Sequence, residues 1–266
     1  MTDEAPLIDT TVPHSARIWN YWLGGRDNYE VDRVAGERYR SVFPGVVEVA
    51  RASRGFLLRT VRHLAGPVGI RQFLDIGTGL PGAENIHDTA QDIAPDTRVV
   101  YVDNDPLVIA HARALLAVGP PGVTDFLRAD LHDPDAILRG AARTLDLSRP
   151  VALVLSGVLG HVGTYEEARS IVGRLLAGLP AGSHLTLNDG GAGAGCGRFE
   201  AAQRAYNDSG AAPYHLRTRE EIAGFFTGLD LIDPGVVSCP RWRPGPDGDP
   251  AATGDLDVFG GVGRKP

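Results

Sequence analysis

Apolar positions change their spacing twice along the chain, dividing it into three stretches. Up to residue 68 the pattern is helical. Pro13-His14-Ser15 starts a helix over Ala16 to Leu23, and Gly24-Gly25 ends it. Asp27 or Asn28 can cap a second helix through Ser41, which Pro44 breaks. A third is predicted from Val46 to Ala65, where Val47, Ala50, Leu57, Val61 and Leu64 make one stripe of helical period. No strand signal appears in this stretch.

Between residues 70 and 190, short β-branched or apolar runs alternate with helical ones. The strand-like runs are Phe73–Ile76, Val99–Val102, Val123–Leu127, Val151–Leu155 and His184–Leu187. Among the helical segments, Glu84 to Ile93 places Ile86, Ala90 and Ile93 on one face. Asp105-Pro106 is a cap followed by proline at the first helical position, opening Leu107 to Ala117. Thr164 with Glu167 forms a capping box ahead of Ala168, Ile171, Leu175 and Leu179. This alternation predicts an α/β fold with a mostly parallel sheet and helices on both faces. The last stretch has helical signals at Phe199 to Asn207 and at the capping box Thr218/Glu221. Two strand-like runs follow, Asp230–Pro240 and Leu256–Gly260, separated by a Pro/Gly/Asp-rich loop and predicting a hairpin at the sheet edge.

Composition narrows the picture by exclusion. An apolar share of 43% with 22% charged residues suits a folded chain of 266 residues. The pattern divides it into a helical extension or cap over 1–68 and an α/β domain over 69–266. A net charge of −7 argues against nucleic acid as a partner, since phosphate binding rests on clustered Lys and Arg. Cys196 and Cys239 lack metal-site spacing, and the eight histidines form no HxH or HxxxH pair, so no metal is expected. The opening MTDEAP has no apolar core of a signal peptide. The longest apolar run, Val151 to Gly160, is far short of a membrane span. A cytoplasmic protein with no membrane partner is expected.

Chemistry enters at Gly77-Thr78-Gly79-Leu80-Pro81-Gly82, a G-x-G-x-x-G run that follows a strand and is expected to open a helix. Glycines admit positive φ and let a ligand approach the backbone. By spacing alone the run fits a dinucleotide or any adenosyl ligand. Asp75, two residues before Gly77, would repel a pyrophosphate and favours a cationic ligand, directly or by fixing the loop. Pro81 would also remove one donor from the helix start, where a pyrophosphate wants them all. Asp103, with Asn104 beside it, ends the second strand, where a carboxylate can accept both ribose hydroxyls. Asp130 follows the third strand, placed to accept from an adenine amino group with Leu131 against the ring. Ligands of such sheets bind at these strand ends.

These residues carry a resemblance. DIGTGLPG, ENIHDTAQDIAP, VVYVDNDP and AHARALL are similar to the actinobacterial S-adenosyl methyltransferase family once known as domain of unknown function 574 (DUF574). So are the N-terminal ARIWNYWLGGRDNYEVDR and the later REEIAGFF, DPGVV, PRWRP and FGGVGRK, so the resemblance covers nearly the whole chain. It implies a Rossmann-like class I methyltransferase with a seven-stranded sheet, an antiparallel closing strand and an N-terminal helical cap. It also implies S-adenosylmethionine as cofactor, with Gly77, Gly79, Asp103 and Asp130 among its contacts. The chain departs from its relatives at Gly82, at Ser156 to His161 and at Asn188 to Gly191.

The N-terminal motif adds candidates. Arg26 can pair with the cofactor's carboxylate, and Tyr21 can stack on the ligand or wall it off. Ser156 and Thr78 complete the expected cofactor contacts. Methyl transfer is an in-line displacement, so positioning supplies much of the catalysis. Where the acceptor must lose a proton, His161 after the fourth strand is the candidate base. The expected function is transfer of a methyl group to a small-molecule acceptor. Two other readings share the loop. One is a non-catalytic binder of S-adenosylmethionine or its demethylated product. The other, an NAD-dependent oxidoreductase, would want a Tyr-x-x-x-Lys set, which the chain lacks.

Overall fold

The computed structural model describes residues 8–116, 123–193, 196–245 and 254–266. The acidic opening MTDEAP and the expected helix end at Ala117 lie outside them. Three helices come first, α1 (Ser15–Trp22), α2 (Glu30–Val42) and α3 (Val46–His63). The last runs on into a π-helical turn, Leu64–Val68. Helix α2 starts later than expected. Its first turn is closed by Asp32, which accepts from the Tyr29 backbone N–H at 2.9 Å. The expected cap Asn28 turns back instead, donating to the Asn20 side chain and the Gly25 carbonyl.

Strands and helices then alternate: β1 (Gln72–Ile76), α4 (Ile86–Ile93), β2 (Arg98–Asp103), α5 (Pro106–Leu116), β3 (Thr124–Arg128), α6 (Pro134–Ala141), β4 (Ala152–Ser156), α7 (Tyr165–Ala177) and β5 (His184–Ala192). The chain continues through α8 (Gly197–Asn207), β6 (Arg217–Thr218), α9 (Arg219–Gly224), β7 (Asp230–Leu231), β8 (Val237–Ser238) and β9 (Val258–Arg264). The sheet order is β3-β2-β1-β4-β5-β9-β7, with β6 on β5 and β8 on β9. Strands β1 to β5 pair in parallel, and β9 runs antiparallel to β5 from His184↔Arg264 to Gly190↔Val258.

The described residues thus hold nine strands where seven were expected, three of them two residues long. The expected edge hairpin is also different. Pro234 and Pro240 bring no N–H to a ladder, so Asp230–Pro240 yields only β7 and β8. The closing strand β9 lies inside the sheet, between β5 and β7.

Alternation along the strands builds two apolar layers. Leu74, Ile76, Val100, Val102, Leu153 and Leu155 face one cluster, with Ile137, Ile171 and Leu175. Phe73, Val99, Tyr101, Ala152 and Val154 face the other, with Ile18, Trp22, Tyr39, Phe56, Leu57 and Val61. The N-terminal helices therefore share a core with one face of the sheet. No helix among the described residues is long and apolar enough to cross a membrane.

Candidate active site

The carboxyl ends of β1 to β5 open on a cavity of about 910 Å³, walled also by α1, α3 and α8. The loop after β1 is fixed by its own backbone. Gly77 and Gly79 have φ of 74° and 66°, the left-handed region that costs an L side chain. Gly77 has a second constraint: a Cβ there would lie 2.3 Å from Val158 Cγ2. Its N–H donates to the Val102 carbonyl at 2.8 Å, tying the loop to β2. Gly79 donates to Asp103 Oδ2 at 2.9 Å, and Asp103 Oδ1 accepts from the Asp105 N–H at 2.9 Å.

Asp105, not Asp103, caps α5, accepting from Leu107 N–H at 2.8 Å. Burial raises the Asp103 pKa, and the two backbone donors work against it. Asp75 is buried too, and desolvation pushes it up to about 6 against the Thr78 hydroxyl and the Arg54 charge. Its carboxylate holds the loop through Thr78.

One expectation about this loop is corrected. It does not open the helix directly: Gly82 to Asn85 intervene, and α4 begins at Ile86. Asn85 accepts from Gly82 N–H at 3.0 Å and donates its own N–H to Asp88 at 2.8 Å. Pro81 is therefore outside the first helical turn, and its missing N–H takes no donor from the helix start.

Asn104, Asp130, Leu131, Ser156 and His161 all line the cavity. The exposed Asp130 carboxylate accepts from the His132 backbone at 2.9 Å and lies 2.7 Å from its ring Nδ1. Ser156 Oγ donates to Asn188 Oδ1 at 2.8 Å, and Asn188 Nδ2 donates to Ser53 Oγ at 2.7 Å, linking β4, β5 and α3. His161 Nδ1 is 2.9 Å from the Pro213 carbonyl, an acceptor, so Nδ1 carries the proton. Burial lowers the His161 pKa, and the neutral ring keeps its lone pair on Nε2.

Tyr21 and Arg26 are not brought to the cavity. Helix α1 turns Ile18, Trp19 and Trp22 inward, and Tyr21 donates to Glu37 at 2.7 Å on the other side. Past the turn at Gly24, φ 82°, Arg26 is exposed.

The structure adds residues the sequence did not single out. Arg54, on α3, lines the cavity and donates to the Glu84 carbonyl. A polar Ser53 inside the apolar stripe of α3 was the available signal that this face meets a site. Tyr214 also lines the cavity, its hydroxyl donating to Asp189 of β5. No local pattern marks it.

Comparison with known proteins decides between the ligand classes. The family model described as S-adenosyl methyltransferase matches residues 1–266. The chain belongs to the S-adenosyl methyltransferase family. Its cofactor is S-adenosylmethionine, and the NAD-dependent alternative falls. A DUF574 family protein from Streptomyces avermitilis MA-4680 is 42% identical, with a TM-score of 0.92 over 98% of this chain and 100% of that one. A protein from Thermobifida fusca YX is 38% identical, with a TM-score of 0.89 over 100% and 99%. An O-methyltransferase family protein from Burkholderia thailandensis, 14% identical, shares the fold at a TM-score of 0.52 over 92% of this chain and 63% of that one. No curated protein matches the chain.

Proposed function

We propose that this methyltransferase acts in the cytoplasm on a small molecule held in the same cavity as the cofactor. The observation that carries the reading is the convergence of Asp75, Asp103 and Asp130, from three successive strand ends, on one cavity of about 910 Å³. That is near the top of the ~300–1,000 Å³ range of single ligand pockets, leaving room for an acceptor beside an adenosyl ligand.

The residues present fit the cofactor. Asp103, already ordered by two backbone donors, accepts the ribose hydroxyls, and Asn104 borders it. Asp130 accepts from the adenine amino group, and Leu131 supports the ring. Gly77, Thr78 and Gly79 keep the backbone open, while buried Asp75 braces the loop and places negative charge near a cationic ligand. Ser156 lines the methionine side. Arg54 takes the carboxylate-pairing role expected of Arg26. When bound, S-adenosylmethionine supplies an electrophilic methyl group on a sulfonium. His161 offers Nε2 to an acceptor entering from its side. Calorimetry tests the reading: S-adenosylmethionine and S-adenosylhomocysteine are expected to bind one to one and NAD not to bind. NAD binding without either adenosyl compound sinks it.

A further inference from the structure

The cavity has a second end, built differently from the strand-end acids. A contiguous series of rings lines it: Trp19 lies against Trp22 at 5.9 Å between centroids, Trp22 against Tyr39 at 5.0 Å, and Tyr39 against Tyr206 at 6.2 Å and Phe199 at 6.5 Å. Phe199 reaches Gly190, where a Cβ would lie 3.2 Å from its Cζ. The Gly190 N–H donates to the Tyr214 hydroxyl at 3.3 Å, so the series ends on that oxygen. None of the described lining residues from α1, α2 and α8 is charged. Such a wall favours a flat, uncharged, aromatic molecule.

Tyr214 is held for contact. Its ring lies over Gly160, where a Cβ would be 2.3 Å from the ring carbons, and edge-on to His161 at 5.1 Å. Asn207 brackets its backbone at 3.0 Å on both sides. Its hydroxyl donates to Asp189 Oδ1. Asp189 is 1% exposed, and its Oδ2 has no hydrogen-bond partner. Arg217 Nη1 is 3.6 Å from that oxygen, but the guanidinium donates to the Leu159 and Val162 carbonyls at 2.7 and 2.9 Å. A buried carboxylate not fully bonded, behind a hydroxyl facing a ligand cavity, is an arrangement for receiving a proton.

We propose that the acceptor is an uncharged aromatic hydroxyl compound whose proton passes through Tyr214 to Asp189. This rests on the methyltransferase reading above. The acceptor oxygen forms its bond to the methyl carbon as the carbon–sulfur bond breaks, its electron pair staying on sulfur. The acceptor's proton moves to the Tyr214 oxygen, and the Tyr214 proton moves to Asp189 Oδ1. Tyr214 ends unchanged and Asp189 neutral, to be reset by solvent on product release. Tyr214 is the catalytic contact, and Asp189 acts through it.

The groups facing Asp189 are the Tyr214 hydroxyl, Arg217, the Gly190 and Gly160 backbone N–H groups, and the Cys239 thiol, which feels its charge. Desolvation pushes Asp189 up to about 6, leaving it ionised at neutral pH yet able to take a proton. Burial lowers the proton affinity of His161, which faces the Tyr214 ring edge.

The test uses the full chain, first shown by calorimetry to bind S-adenosylmethionine; failure there removes the underlying reading rather than this one. S-adenosylhomocysteine formation is then followed with 2-naphthol and with the charged 2-naphthoate. Turnover of 2-naphthol only is expected, with kcat falling as pH drops through about 6. Tyr214→Phe and Asp189→Asn should each lower kcat by about 100-fold or more, with cofactor affinity within about threefold, and Asp189→Asn should abolish the pH limb. Tyr214→Phe removes only a hydroxyl, so it keeps the test open if Asp189→Asn folds poorly. The proposal is overturned if cofactor-loaded protein leaves 2-naphthol unmethylated, if naphthoate is used equally, if Tyr214→Phe keeps wild-type kcat, or if the limb survives in Asp189→Asn.

Discussion

Replacing Gly77 with alanine perturbs the cofactor loop in two separable ways. At φ 74° the alanine backbone costs roughly 1–2 kcal/mol. The new Cβ would also stand 2.3 Å from Val158 Cγ2 and 2.6 Å from Val158 Cβ, so something must move. Overpacking of this kind costs about 1–3 kcal/mol. Together the expected loss is about 2–5 kcal/mol, or a fall in Tm of about 4–20 °C for a chain of this size. Differential scanning calorimetry measures it. The Val158→Ala background separates the parts: it deletes Cγ2 and leaves Cβ. Gly77→Ala should therefore cost about 1 kcal/mol less in that background, while the backbone cost remains. A Tm change below about 1 °C would mean that neither strain nor overpacking acts at Gly77, and equal losses in both backgrounds would remove the Val158 clash.

Asp103→Ala should weaken S-adenosylmethionine binding by about 100-fold or more, the loss of hydrogen bonds to a buried charge. Asp130→Ala should cost less than about tenfold, since its side chain is 58% exposed and well screened; calorimetry showing the reverse order would reassign the ribose contact. Arg54→Ala should erase about tenfold or more of the preference for S-adenosylhomocysteine over 5′-methylthioadenosine, which lacks the carboxylate, whereas Arg26→Ala should leave the ratio unchanged. His184 should destabilise the fold in acid. Burial and then Arg264 hold its pKa at about 4, below the ordinary 6.5, so the unfolded chain binds the proton more readily between those values. Its contribution is full above pH 6.5 and lost as pH falls toward 4. The gap in urea midpoint between wild type and His184→Gln should shift in favour of the variant over that window, and parallel curves would remove the assignment. Asp75 and Asp189, both raised to about 6, act in the opposite sense, which is why the comparison is between variants.

The sheet was legible because β1, β2 and β4 are buried on both faces and read as largely apolar runs, and because caps such as Asp105-Pro106 and Thr164 mark the helices between strands, whereas the half-buried β3 carries Asp125. The three acids were legible because a strand end fixes where a side chain at that position emerges. The closing strand was harder: Val258–Arg264 carries three glycines in seven residues, and its place between β5 and β7 is a matter of long-range pairing. Tyr214 and Asp189 lie 25 residues apart and meet only because the chain after α8 folds back over β5. Arg26 misled because its local pattern was specific while its direction depended on the turn at Gly24. Arg54 was hidden on a helix whose period spoke of packing, with the polar Ser53 beside it the one sign of a site.

A crystal structure of the protein soaked with S-adenosylhomocysteine would show the cofactor site itself. Density is expected along the carboxyl ends of β1 to β3, with ribose hydroxyls on Asp103, adenine beside Asp130 and Leu131, and the carboxylate toward Arg54. Density at another site, or the ribose away from Asp103, would contradict this placement.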